Sequence, residues 1–146
     1  LATFFFLNDG AVQHAKRLGD WLVELMGGEG DVWTESGRKG MRQESHRRAW
    51  NSERRPAEKR GQRFKLDDCR IWMRLMFWSA REVGLATHRA FWDWFLEEIS
   101  FGISIYERSA SQHAEESAAW SSRPENIEKY KDDGYIMLDV VGIGRR

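Results

Sequence analysis

Phe64–Leu85 reads FKLDDCRIWMRLMFWSAREVGL, and this stretch decides the fold. Apolar residues recur in it at helical spacing, with Ile71, Leu75 and Trp78 on one line and Trp72 and Met76 on its neighbour. Asp67 and Asp68 suit a first turn, where carboxylates meet orphan amide hydrogens and the positive end of the helix dipole. Gly84 suits the stop. Arg70, Arg74, Arg81 and Glu82 are expected on the remaining surface. The apolar stripe is wider than a surface helix needs, which predicts burial on more than one side or packing against something large and flat.

The whole chain has 146 residues, the size of one domain with one core. Charged residues make up 32% and balance to a net charge of zero, so no long-range field favours nucleic acid or an anionic membrane. Eight Trp and eight Phe are many for this length. Such a load supplies core and interface, and can also face a large planar ligand. The single cysteine, Cys69, excludes an internal disulfide and a cysteine-built metal site. No apolar run approaches the roughly 20 residues of a membrane-spanning helix. LATFFFL at the start is too short for a signal peptide and lacks a basic leader. The chain opens on Leu1 rather than Met, so a processed or trimmed start is expected; the location expected is intracellular, with an organelle reached after loss of a targeting peptide as one variant.

Outward from the central stretch, Phe4, Phe5 and Phe6 form an apolar cluster that ends at the turn-prone Asn8-Asp9-Gly10. A helix is expected over Ala11–Met26, closed by Gly27-Gly28, with His14, Leu18, Trp21 and Leu22 toward one face. Residues 29–63 are the least regular third, with a helical turn or two expected over Ser45–Trp50 and a break at Pro56. A second long helix is expected from an N-cap at Thr87 to about Arg108, with Gly102 admitting a close neighbour. Short helices are expected over His113–Trp120 and Pro124–Lys131. The final YIMLDVVGI fits either a strand or a docked helix. The reading is an all-α domain over residues 1–110 and a C-terminal extension, 111–146, that packs on it or on a partner.

Several chemical constellations fall away. The adjacent pairs Asp67-Asp68, Glu97-Glu98, Glu115-Glu116 and Asp132-Asp133 point about 100° apart on a helix and read as solvated faces. Gly27-Gly28-Glu29-Gly30 lacks the lysine of a phosphate loop. The arginines and lysines of residues 47–65 are diluted by Glu53 and Glu58, which favours a solvated loop or an acidic protein partner over RNA. His14, His46, His88 and His113 are too dispersed for a zinc signature, and His88 and His113 read as surface histidines.

HAKRLGDWLVELMGG followed by FKLDDCRIWMRLMFWSA resembles the truncated haemoglobins of the second group, and a divergent globin-like branch of them found in microbes. The likeness spans roughly residues 4–106. It rests on Leu25-Met26-Gly27-Gly28 at the end of a distal helix and on Arg70-Ile71-Trp72 in the following long helix. It implies a globin-like fold and haem b. Aligned on the glycine pair, it implies Phe6 at the haem-contacting corner, His14 over the iron, Leu18 and Trp21 along the distal wall, and Trp72 as a further contact. The family's proximal histidine would fall near Glu58–Gln62, which holds none, so His46 in SHRRAW becomes the proximal candidate. The family's first helices have no counterpart ahead of Phe4.

Two functions follow from this resemblance. The first is a haem protein, more a binder than an enzyme, that takes a diatomic ligand such as oxygen through iron held by His46 with His14 opposite. The second is a haem-less globin-like subunit of a larger assembly, one that could be an organellar membrane complex, with protein partners docking at the N-terminal edge and the C-terminal tail.

Overall fold

The computed structural model describes residues 1–141, and every described regular element is helical, as expected. The chain forms two compact units, Ala2–Arg63 and a second from Phe64 onward, so the boundary expected near residue 110 lies inside the second unit.

The amino-terminal unit begins with a 3-10 turn at Ala2–Phe4, then α1, Gly10–Leu25. The glycine pair stops α1 as the sequence requires. Gly27 takes a φ of +74° and donates to the Glu24 carbonyl, while Gly28 donates to the Val23 carbonyl at 2.9 Å. A Cβ on Gly28 would stand 2.5 Å from Val23 Cγ1 and 2.9 Å from the Val23 carbonyl oxygen, so the second glycine is demanded by close approach. A π-type turn at Thr34–Arg38 is tied back to α1 by Glu24, whose carboxylate accepts from the Thr34 amide and hydroxyl. α2, Arg42–Trp50, is longer than the turn or two expected.

Residues 51–63 hold one 3-10 turn, Ala57–Lys59, and are exposed, as a solvated basic segment would be, except at Ser52 and Arg55. Arg55 is buried, its guanidinium lying 4.4 Å over the Phe4 ring and donating to the Trp50 and Gln62 carbonyls at 2.7 Å each. Arg60 donates to the Arg55 and Glu53 carbonyls, Arg54 to Asn8 Oδ1, and the Ser52 hydroxyl to the Phe5 carbonyl. Backbone oxygens that a helix or sheet would have satisfied are taken up by arginine instead.

In the second unit, α3 spans Leu66–Glu82. Asp68 accepts from the Lys65 amide at 2.9 Å, the reciprocal half of a capping box, and Gly84 follows the helix at φ +79°. Its fully buried face differs from the expected one. Met73, Phe77 and Ala80 are sealed, with Cys69, while Ile71, Trp72, Leu75, Met76 and Trp78 are half-buried. Arg70 and Arg74, expected at the surface, are buried because Glu116 and Asp139 reach in to hold their guanidiniums.

α4 is Arg89–Ser104, shorter at both ends than expected. Thr87 is not its N-cap: the Thr87 hydroxyl donates to the Gly84 carbonyl within a 3-10 turn, and His88 occupies the cap position without a side-chain bond. Past Ser104 the chain turns into a 3-10 segment, Arg108–His113, which packs on α4. α5, Ala114–Trp120, lies against α3; α6, Pro124–Asp132, begins with proline at its first turn. Gly134 and Tyr135, both at positive φ, then turn the chain into a final strap. Met137 and Val140 of the strap are buried around a single 3-10 turn, Leu138–Val140, so the strand alternative is not taken; Gly142 and Ile143 of that run lie outside the described residues.

Phe77 is the keystone of this unit. Its ring meets Phe95 edge-on at 5.6 Å and Trp92 at 5.5 Å, and Phe91 stacks on Phe95 at 5.2 Å. Phe77→Ala is expected to cost about 3–5 kcal/mol in urea unfolding followed by near-UV circular dichroism. Gly28→Ala should cost about 1–3 kcal/mol, with faster amide exchange confined to the end of α1.

Candidate functional site

Five of the six candidate haem contacts and ligands belong to the amino-terminal unit: Phe6, His14, Leu18, Trp21 and His46. Trp72 belongs to the other unit, half-buried on α3.

α1 sets three of these side chains. Its apolar residues fall on one stripe because they recur every three or four positions, and His14, Leu18 and Trp21 follow that stripe. No residue of this strongly amphipathic helix is fully buried: Leu18, Trp21 and Leu22 are half-covered, and His14 is exposed. Among the described residues, the buried apolar side chains of the unit are Phe4 and Ala49. An apolar stripe served by so small a core is the surface on which a cofactor or another protein would fit.

His46 sits on α2, where helical spacing turns it inward. The two imidazoles that the sequence separates by 32 positions are near enough here for His14 to disfavour the charged form of His46. Burial is the larger cause, Arg42 adds to it, and together they push His46 down to about 4. His14 is also pushed down, by burial and by Arg17, against the opposing pull of Asp9. Both rings are therefore neutral at pH 7, the form in which imidazole ligates a metal.

Aromatic and guanidinium groups frame the pair. Phe5 lies on His14 with centroids 4.4 Å apart and a tilt of 32°. Arg42, beside His46, stacks over Trp21 at 4.8 Å, and Arg48 over Phe6 at 4.4 Å. A groove of about 420 Å³ opens between the rings of Phe5 and Phe6 and the polar side chains of Arg48, Asn51 and Arg54. Sequence reasoning missed Phe5 and Arg42. The run Phe4-Phe5-Phe6 advertised aromatic content, but a gapless alignment selects only one of the three, and nothing local marks Arg42 as the cover of a tryptophan 21 positions earlier in chain order.

The remaining titratable groups have structural roles. His113 Nδ1 lies 3.0 Å from Glu116, and His88 is exposed. Asp68, Glu116 and Asp133 of the adjacent carboxylate pairs are bonded to Lys65, Arg70 and Lys129. Cys69 is buried, its thiol pushed up to about 12 by burial, and so is inert. Among the described residues no three of His, Cys, Asp and Glu converge as a metal cluster, and no helix is long and apolar enough to cross a membrane.

No protein family, no curated protein and no solved structure matches this chain.

The two histidines give the amino-terminal unit a specific pH response. A folded-state pKa held below the unfolded value of about 6.5 means that the unfolded chain binds more protons, so stability is complete above that value and declines as the pH falls toward 4. Full protonation of His46 should remove about 3 kcal/mol. Urea titrations between pH 7 and pH 4.5 should show that slope, and His46→Gln should flatten most of it. Asp9 and Glu24, whose pKa values lie below their ordinary range, lose their stabilising charge only at lower pH.

Proposed function

We propose that this chain is a globin-like haem protein whose iron is held by His46, with His14 on the opposite side. The observation that carries the reading is that both imidazoles, on α1 and α2, are disfavoured in their charged form, His46 by burial, Arg42 and His14, and His14 by burial and Arg17. The donor set fits: a globin-type iron takes a neutral imidazole, and His46 stands half-buried on α2, in the stretch expected to form a helical turn. Haem b would supply an iron that takes a diatomic ligand such as oxygen. His14 would offer that ligand a hydrogen bond or give the iron a second imidazole. Phe5 limits the rotation of the His14 ring, and Phe6, Leu18 and Trp21 offer the apolar faces that keep water from the iron. Arg42, already next to His46, disfavours its protonation and so keeps its lone pair available for the metal.

A second reading has an observation of its own. Tyr135, Ile136, Leu138 and Val141 are exposed on the strap while Met137 and Val140 anchor it, which leaves an apolar edge at the end of the described chain. That edge suits a haem-less subunit docked in a larger assembly.

Titrating the purified chain with haemin separates the two. The haem reading predicts a sharp Soret band at one equivalent, lost in His46→Ala, and altered in width and in ligand off-rate in His14→Ala. A broad, unsaturating absorbance that is the same in wild type and His46→Ala would overturn it and favour the subunit.

A further inference from the structure

The seam between α3 and α5 is polar in a way that the haem reading does not use. The inner face of α5 is small, with Ala114, Ser117, Ala118 and Ser121 all buried, and this lets the helix approach α3 closely. Onto that face α3 directs Arg70 and Arg74, which are 6% and 4% exposed. Each guanidinium spends one terminal nitrogen on a carboxylate: Arg70 on Glu116 at 2.5 Å and Arg74 on Asp139 at 2.6 Å. Among the described residues, their Nε–H groups are sealed from solvent and meet no protein acceptor. The hydroxyl of Ser117, which is 1% exposed, likewise has no protein partner. A buried donor left without an acceptor costs about 1–3 kcal/mol.

The three groups belong to the two helices that form the seam. Arg70 and Arg74 are one turn apart on α3. Ser117 stands on α5 between Glu116, which takes Arg70, and Trp120, whose ring lies 4.8 Å beneath the Arg74 guanidinium.

We propose that this seam binds one small inorganic anion of chloride size through the Nε–H groups of Arg70 and Arg74 and the hydroxyl of Ser117. Charge selects an anion over water. Arg81 enters the same seam, where its Nε donates to Ser121 Oγ at 2.9 Å and its terminal nitrogen to the Ala118 carbonyl at 3.2 Å, with Trp92 beneath it at 4.3 Å. It has no carboxylate there, and burial lowers its pKa. Three guanidiniums thus face two carboxylates, Glu116 and Asp139, which are themselves 53% and 50% exposed. Glu116 is shared further with His113. Water would satisfy the three donors and leave the excess positive charge; a halide does both. Held there, the anion fastens α5 to α3 and, through Arg74 and Asp139, the strap as well.

The test uses the full chain exchanged into sodium gluconate, with chloride or bromide added at constant ionic strength. Chloride should raise the melting temperature saturably by a few degrees, as a ligand specific to the folded state does. The ³⁵Cl resonance should broaden with wild-type protein, and bromide should compete the broadening away. Ser117→Ala, a small change on a well-packed helix, should weaken both effects about tenfold, and Arg74→Met should abolish them. Crystals grown in bromide should show an anomalous peak between the Nε atoms of Arg70 and Arg74. Equal melting in chloride and gluconate, or broadening that is unchanged in Ser117→Ala, would overturn the proposal and leave water in the seam; should Arg74→Met fail to fold, Ser117→Ala and the bromide peak decide the question.

Discussion

A guanidinium removed from water must find acceptors, a counter-charge or an aromatic face, and this chain removes several. In the amino-terminal unit Arg55 lies under Phe4 and holds the Trp50 and Gln62 carbonyls, while Arg42 and Arg48 cover Trp21 and Phe6. In the second unit Arg74 rests on Trp120 and Arg81 on Trp92. The long stems provide apolar packing and the planar heads stack on rings, so arginine here does part of the work of a hydrophobic core. That explains how residues 51–63 can be fixed with a single 3-10 turn, Ala57–Lys59, as their regular structure. It also explains why a chain with eight Trp and 32% charged residues is self-consistent: each ring is a docking face for a charge as well as an oily surface.

The two units use this device to different ends. The second builds a conventional aromatic core around Phe77, Phe95 and Ile99 and places its buried arginines at the edge, where carboxylates reach them. The first has little core of its own and leaves the stripe of α1 half-covered. Its two histidines, His14 and the half-buried His46, are neutral for the same reason that its arginines need rings: the surroundings disfavour added positive charge. A site poor in protons and lined by aromatic faces suits a neutral imidazole ligand, and that links the electrostatics of the unit to the function proposed for it.

Helix existence and most helix ends were legible locally. α1 begins and ends within a residue of expectation, because Asn8-Asp9-Gly10 and Gly27-Gly28 act on the chain beside them. α3, α5 and α6 fall close to their expected spans, and α6 has its proline at the first turn. The errors arose where local rules compete. Thr87 could cap a helix or bond back to Gly84, and it takes the second course. α4 stops at Ser104 although apolar spacing continues to Tyr106, because the following 3-10 segment folds back onto it. Of the candidate site, His14, Leu18 and Trp21 on one stripe of α1 could be read from spacing; the inward turn of His46, the stacking of Phe5 on His14 and the place of Arg42 could not.

By itself, then, the sequence determined that the chain is all-α, where its main helices start and stop, and which residues share a helical face. Those properties depend on backbone bonds and side chains within a turn or two of one another. Only the tertiary structure decided which faces are buried. It chose Met73 and Phe77 over Ile71 and Leu75, and it buried Arg70 and Arg74, whose partners Glu116 and Asp139 lie 46 and 65 residues further along the chain. The physical reason is that the cost of burying a charge depends on what meets it, and what meets it here comes from elements remote in sequence.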